Sequence, residues 1–270
     1  MNVKIGAHLS TAGGLYKAAD KAKAIGANCL QIFGASPRQW QFKVPSEAEV
    51  SQFKESLVEN KVGPVFLHGL YLVNLASDDR DIWQKSIDGL AGHLGIAEIL
   101  GVEGVIFHIG SAKDRNKKEV VTEVVERVKL VLKKVPGKAK LVLENSSGGQ
   151  KVGSNPEELS EIFKKIDSAR VKICLDTCHA FTAGHFSLDS WDKVVDLKNV
   201  IAIHANDSKA AAGSTLDRHE NIGEGQIGLA GLKQWTQDRR LAHAAWIIET
   251  PGFNDLGPDK RNIDILKTCF

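Results

Sequence analysis

Apolar runs of strand length alternate with amphipathic stretches from one end of the chain to the other. Eight of these runs predict strands: Val3–Ala7, Cys29–Gly34, Val65–His68, Gly104–His108, Lys140–Glu144, Val171–Asp176, Val200–Asn206 and Ala245–Thr250. Helical patterns lie between them, most clearly over residues 117–135. There Val121, Val124, Val125, Val128, Val131, Leu132 and Val135 recur at three- and four-residue spacings on one face, and charged residues fill the other. The run Ser154-Asn155-Pro156-Glu157 opens a further helix, with Asn155 as N-cap and Pro156 in the first turn. No Ser/Gly linker, shift in composition, internal repeat or low-complexity tract interrupts the alternation. The pattern therefore predicts an α/β fold, a single (β/α)8 TIM barrel occupying residues 1–270 as one domain.

Barrels of this kind build their active sites at the carboxyl ends of the strands. Candidate strands three to eight end on His68, His108, Glu144, Asp176, His204 and Glu249. His179 follows Asp176 in DTCH, and the glycine-punctuated stretch HANDSKAAAGSTLDRHENIGEGQIG, His204–Gly228, adds Asp217 and His219. A buried row of imidazoles and carboxylates is costly without partners, and bound cations are the most economical way to hold it together. These nine donors are too many for one tetrahedral ion and fit two or three ions sharing a carboxylate. Mixed histidine and carboxylate donors suit zinc or manganese better than magnesium or calcium. Two such ions about 4 Å apart activate water and steady both oxygens of an in-line phosphoryl displacement; a third can neutralise the phosphate. Metal-assisted phosphoester hydrolysis is the expected chemistry. The alternative on the same barrel, a metal-dependent sugar isomerase or epimerase, would need fewer ions and a lysine or histidine poised near a carbonyl.

Composition narrows the class only a little. The formal net charge of +2 gives no global field for nucleic acid, so any DNA contact must come from a local basic face and from the metals' own charge. No apolar run approaches the roughly 18 residues of a membrane span, and MNVKIGAHLS is too polar for a secretory segment, so a cytoplasmic protein is expected. The four cysteines, Cys29, Cys174, Cys178 and Cys269, form no CxxC pair and read as buried reduced thiols, neither disulfides nor zinc ligands. No exposed apolar stripe suggests an interface, which predicts a monomer.

Six motifs then carry a resemblance: IGAHLSTAGGL from Ile5, RQW from Arg38, HGLYLVNLAS from His68, CLDTCHAFTAG from Cys174, HANDSK from His204 and DRHENIGEGQIG from Asp217. With them the chain resembles the endonuclease IV family of zinc-dependent abasic-site endonucleases. The resemblance implies three Zn2+, with Mn2+ an option at one site. His68 and His108 would hold the first and Glu144 would bridge it to a second, which Asp176, His204 and Glu249 also hold. His179, Asp217 and His219 would hold the third. Glu144, Asp176 and Glu249 are the catalytic candidates. The implied substrate is double-stranded DNA, cut 5′ to an abasic site to leave a 3′-hydroxyl and a 5′-deoxyribose phosphate, with trimming of blocked 3′ ends. A bent duplex with a flipped abasic nucleotide accords with the small stacking loss at a missing base. Arg38, Gln39 and Trp40 after the second strand, and Tyr71 and Leu72 after the third, are the expected wedge residues, and Lys209 beside His204 is the candidate phosphate contact, with a solvated surface lysine as its competing role. Trp40 and Tyr71 have burial at the barrel mouth as their competing role. His8 reads either as a support for the metal ligands or as a packed histidine, and His93, His185 and His243 as surface or helix residues. Family members commonly carry an aromatic residue where His185 stands. A third possibility, a damaged-DNA binder without activity, leaves the complete donor set unexplained.

Overall fold

The computed structural model describes residues 3–270. Its chain-order strands are β1 (Lys4–His8), β2 (Cys29–Phe33), β3 (Val65–His68), β4 (Gly104–His108), β5 (Lys140–Glu144), β6 (Val171–Asp176), β7 (Val200–His204), the short pair β8 (Asp207–Ser208) and β9 (His219–Glu220), and β10 (Ala245–Ile248). All but β8 and β9 pair in parallel and in sequence order, and β10 closes the barrel on β1. The helices on its outside are α1 (Tyr16–Ala24), α2 (Glu47–Asn60), α3 (Arg80–Leu100), α4 (Lys117–Lys134), α5 (Pro156–Ile166), α6 (Thr177–Thr182), α7 (Leu188–Asp192), α8 (Gly228–Thr236) and α9 (Lys260–Lys267). The fold is a TIM barrel, as the alternation predicts.

Local chemistry accounts for the element ends. Ser46 and Glu49 form a reciprocal capping box at the start of α2. Asn155 accepts from the Glu158 amide at 2.8 Å and Pro156 opens α5. Helix α4 buries Val120, Val121, Val124, Val125, Val128 and Val131, each stabilising by about 1.5–3 kcal/mol, while Leu132 and Val135 lie at the margin of that face. Strand ends differ from the sequence expectation by one or two residues. β1 begins at Lys4 and includes His8, while β2, β7 and β10 stop at Phe33, His204 and Ile248. Past His204 the ladder gives way to side-chain bonds: Asn206 donates to Asp176 Oδ2 at 2.7 Å and accepts from the Glu249 amide at 2.8 Å.

The strands are apolar on both faces because both are covered. Outward side chains join those of the helices in the larger core, and the inward set, Cys29, Phe66, Ile106, Val142, Cys174, Ala202, Ala245 and Ile247, fills the barrel. β1 contributes Gly6 there, where a Cβ would lie 2.1 Å from the Cys29 carbonyl oxygen. All four cysteines are buried and unpaired, as expected.

Candidate metal centre

Side chains alternate along a strand, so the residue two places beyond each inward apolar one also faces the barrel axis. Two places beyond Gly6, Cys29, Phe66, Ile106, Val142, Cys174, Ala202 and Ile247 stand His8, Gln31, His68, His108, Glu144, Asp176, His204 and Glu249. A polar ring thus sits on an apolar floor at the carboxyl end of the barrel. It opens into a crater of about 900 Å³ lined by His8, His68, Tyr71, His108, His179, Asp217, His219 and Glu249 among others.

The nine predicted donors converge in three overlapping groups. His68 Nε2 and His108 Nδ1 approach Glu144 Oε2 at 3.4 and 3.5 Å. His204 Nδ1 lies 3.2 Å from Glu144 Oε1, 3.4 Å from Glu249 Oε2 and 3.8 Å from Asp176 Oδ2. His179 Nε2 is 3.1 Å from Asp217 Oδ2, and His219 Nε2 is 3.4 Å from Asp217 Oδ1 and 3.7 Å from Asp176 Oδ2. Asp176 therefore faces two groups, a sharing that spacing along the chain does not reveal. Cys178 lies near Asp217 and His219, but its thiol donates to the Arg218 carbonyl.

Burial opposes a charged Glu144, yet His108, His204 and His179 outweigh it and hold its carboxyl well below the usual range. Glu249 behaves alike, with His204 and His8 overcoming burial. Burial also opposes charge on His179, but Asp176, Asp217 and Glu144 raise it well above an ordinary histidine. His204 is raised too, against burial, by Cys174, Glu249 and Glu144. Desolvation instead pushes His108 down to about 4. The fit to cations shows in two buried atoms without hydrogen-bond partners, Glu144 Oε2 and His179 Nε2, both aimed into the donor groups. Such orphaned polar atoms are costly unless something binds them, and borderline imidazole with hard carboxylate is the donor mix that zinc accepts.

Several supporting residues escape a reading for ligand types. Gln31, wholly buried, touches His204, Glu249 and His8, and His8 Nδ1 lies 2.8 Å from Glu249 Oε1. Asn145 takes the His179 Nδ1 proton on its carbonyl at 2.9 Å and brackets Asp176 through its amide. Buried Asp207 collects five backbone N–H groups, from Ser208, Gly223, Gly225, Ile227 and Gly228, at 2.8 to 3.2 Å. The GEG turn wraps this carboxylate: a Cβ on Gly225 would fall 2.4 Å from Asp207 Oδ1. An aspartate just before a glycine-rich loop was the available signal.

The predicted DNA-contact residues divide. Tyr71 stands at the crater rim, 56 % exposed, Leu72 lines the cleft beside it at 36 %, and Arg38, Gln39 and Lys209 are also exposed. Trp40 packs half-buried against α3 at Gly89. Lys151, unanticipated, lies 3.7 Å from Asp217. His93, expected at the surface or on a helix, lies buried in α3 with Nδ1 3.0 Å from the Gly89 carbonyl oxygen. His185 is half-buried after α6 and His243 exposed after α8.

A model of the xylose isomerase-like TIM barrel family matches residues 19–269. The probable endonuclease 4 of Halothermothrix orenii is 35 % identical over 98 % of this chain and 99 % of its own. The crystal structure of endonuclease IV from Thermus thermophilus superposes with a TM-score of 0.87 at 35 % identity, covering 98 % of both chains. A D-tagatose 3-epimerase-like protein, at 20 % identity and a TM-score of 0.74 over 98 % of this chain and 96 % of its own, shares the fold alone.

Proposed function

The chain belongs to the xylose isomerase-like TIM barrel family and, within it, to the endonuclease 4 proteins; it is an endonuclease of DNA repair, and we propose that it cuts the backbone 5′ to abasic sites with a centre of three zinc ions. The observation that carries this is the buried Glu144 carboxylate: Oε2 faces His68 and His108 while Oε1 faces His204, so one side chain serves two neighbouring groups. His68, His108 and Glu144 would hold one ion, Glu144, Asp176, His204 and Glu249 the second, and His179, Asp217 and His219 the third. Bound there, paired divalent cations supply Lewis-acid stabilisation of the attacking and leaving oxygens of a phosphodiester. The chain's own residues do the rest. The crater admits an extruded nucleotide, and Tyr71 at its rim with Leu72 beside it fill the gap that a missing base leaves in the stack. Arg38, Gln39 and Lys209 meet the backbone, and Lys151 adds charge beside Asp217. Trimming of blocked 3′ ends uses the same centre, since those too are phosphoesters.

The epimerase alternative has only the shared barrel in its support. A duplex with a single abasic site separates the two. Incision should leave a 3′-hydroxyl and a 5′-deoxyribose phosphate, stop with a strong zinc chelator and return with added Zn2+. Failure to incise, together with turnover of a ketose, would install the epimerase. The same reading takes the 270 residues as one domain and the protein as a cytoplasmic monomer, which light scattering at working concentration checks for the oligomeric state. Among the described residues no helix is long and apolar enough to cross a membrane.

A further inference from the structure

Gln31 is wholly buried in the polar ring, with every polar atom of its amide engaged by the site. Its Nε2 lies 2.6 Å from Glu249 Oε1 and its Oε1 lies 2.8 Å from His204 Nε2. The orientation of the amide follows from its carboxylate neighbour. Turned the other way, the amide oxygen would face an ionised Glu249 oxygen at hydrogen-bond distance with no proton between them. With its NH2 on Glu249, the amide offers His204 only an acceptor, so the imidazole proton must sit on Nε2. The Nδ1 lone pair then faces the space between Glu144 Oε1 and Glu249 Oε2, at 3.2 and 3.4 Å. His8 completes the arrangement. Facing the Gln31 NH2 at 2.9 Å, its Nδ1 has only Glu249 Oε1 to donate to, at 2.8 Å. Glu249 Oε1 thus takes two donors, and Oε2 is left for the site.

We propose that Gln31 is a positioning residue that holds His204 in its Nε2–H tautomer and turns Glu249 Oε2 inward, so that one metal position of the three depends on it. The assignment rests on the metal centre proposed above. It follows the general rule that the hydrogen bond on the far nitrogen of a ligating histidine sets its tautomer, and that losing such a partner weakens metal binding about 10- to 100-fold.

The test uses the zinc-loaded full chain as wild type, Gln31→Met and Gln31→Glu, titrated with a graded chelator while retained ions are counted, alongside 15N spectra of the histidine rings. Gln31→Met keeps the bulk without hydrogen bonds. It should release one ion of the set at roughly 10- to 100-fold less chelator while the others hold, and the His204 ring signals should no longer report the Nε2–H form alone. Gln31→Glu keeps the acceptor for His204 and loses the donor to Glu249, so the tautomer signature should survive while one ion still loosens. Unchanged affinities and ring signals in Gln31→Met, or an equal loosening of every ion, would overturn the role of Gln31 while leaving the centre standing. A wild-type chain that holds no tightly bound divalent ion would overturn the centre itself, and this assignment with it.

Discussion

Glu249 illustrates how much depends on which oxygen of a carboxylate is free. Its Oε1 is taken by His8 and Gln31, and its Oε2 points at His204 Nδ1 across the site. In Glu249→Gln the amide oxygen would keep the two outer donors, so the NH2 would face the cations and could not ligate. The substitution should preserve the fold and abasic-DNA binding while lowering incision by about 10- to 100-fold or more; a rate near wild type would remove Glu249 from the ligand set. Asp207 makes the complementary case. Its side chain hydrogen-bonds none of the nine donors, yet it gathers the Ser208 N–H of β8 and four backbone N–H groups of the loop running from β9 into α8, β9 being the strand that carries His219 two residues past Asp217. Asp207→Asn would set an NH2 against some of those donors and leave them unpaired. We expect a loss of about 1–3 kcal/mol in chemical denaturation, with reduced occupancy of the third metal position. Unchanged stability would mean that the turn holds its shape without the carboxylate.

Among the elements, the loop between β3 and α3 carries the exposed Tyr71 and Leu72, and α4 ties it down. Arg127 Nη1 donates to the Leu75 and Ser77 carbonyls at 2.6 and 3.0 Å, while its guanidinium lies 4.8 Å from the Trp83 ring centre. Arg115 donates to the Ala76 carbonyl, and Glu123 pairs with both arginines. A wedge can only discriminate if its base is rigid. Forcing a side chain into an intact stack costs a few kcal/mol per step, a cost largely absent at an abasic site. Tyr71→Ala and Arg38→Ala should therefore narrow the affinity ratio of abasic to undamaged duplex at one fixed salt concentration, with metal content unchanged; a constant ratio would reduce both to packing or general phosphate contact. Arg127→Ala should narrow that ratio too, without touching DNA. Arg127→Lys should not rescue it, because a flexible ammonium cannot at once meet both carbonyls, pair with Glu123 and lie flat on the Trp83 ring. Full rescue by lysine would argue that only the charge matters.

Across the whole molecule, the barrel concentrates its charge problem at one end and leaves cations to solve it. Without metal, Asp176, Asp217 and Glu144 raise His179, and Cys174, Glu249 and Glu144 raise His204, well above the ordinary histidine range against the opposing effect of burial, which favours their protonated forms. Ligation requires neutral imidazole, so metal binding must expel those protons. The sign follows directly: raising the pH removes the competing protons, so apparent zinc affinity rises with pH and falls toward acid. Chelator competition between about pH 6 and pH 8 should show this slope, and a flat profile would mean that the imidazoles are already neutral in the metal-free chain. Since the folded chain alone offers the assembled site, metal removal should also lower thermal stability; ligand at a thousandfold excess over its Kd contributes about 4 kcal/mol.

The alternation of strands and helices, the carboxyl-end placement of the six strand-end donors, and the addition of His179, Asp217 and His219 from the flanking loops can be read from the chain alone. These were legible because an apolar run and the residue that ends it are local, and because the two-residue period of a strand sends every second side chain inward. How the donors share their partners depends on the closed barrel. That Glu144 divides its two oxygens between groups, and that Asp176 faces two of them, follows from the stagger of β5, β6 and β7 in the closed barrel. The supporting contacts are more remote still. His8 meets Glu249 across 241 residues and Gln31 meets His204 across 173, pairs brought together only when β10 closes on β1. Gln31, flanked by Leu30 and Ile32 in an otherwise apolar run, carries no local mark of that role, and Trp40 carries none to tell a wedge from a cover. A side chain's identity fixes which bonds it can make, but barrel closure fixes which partners are within reach.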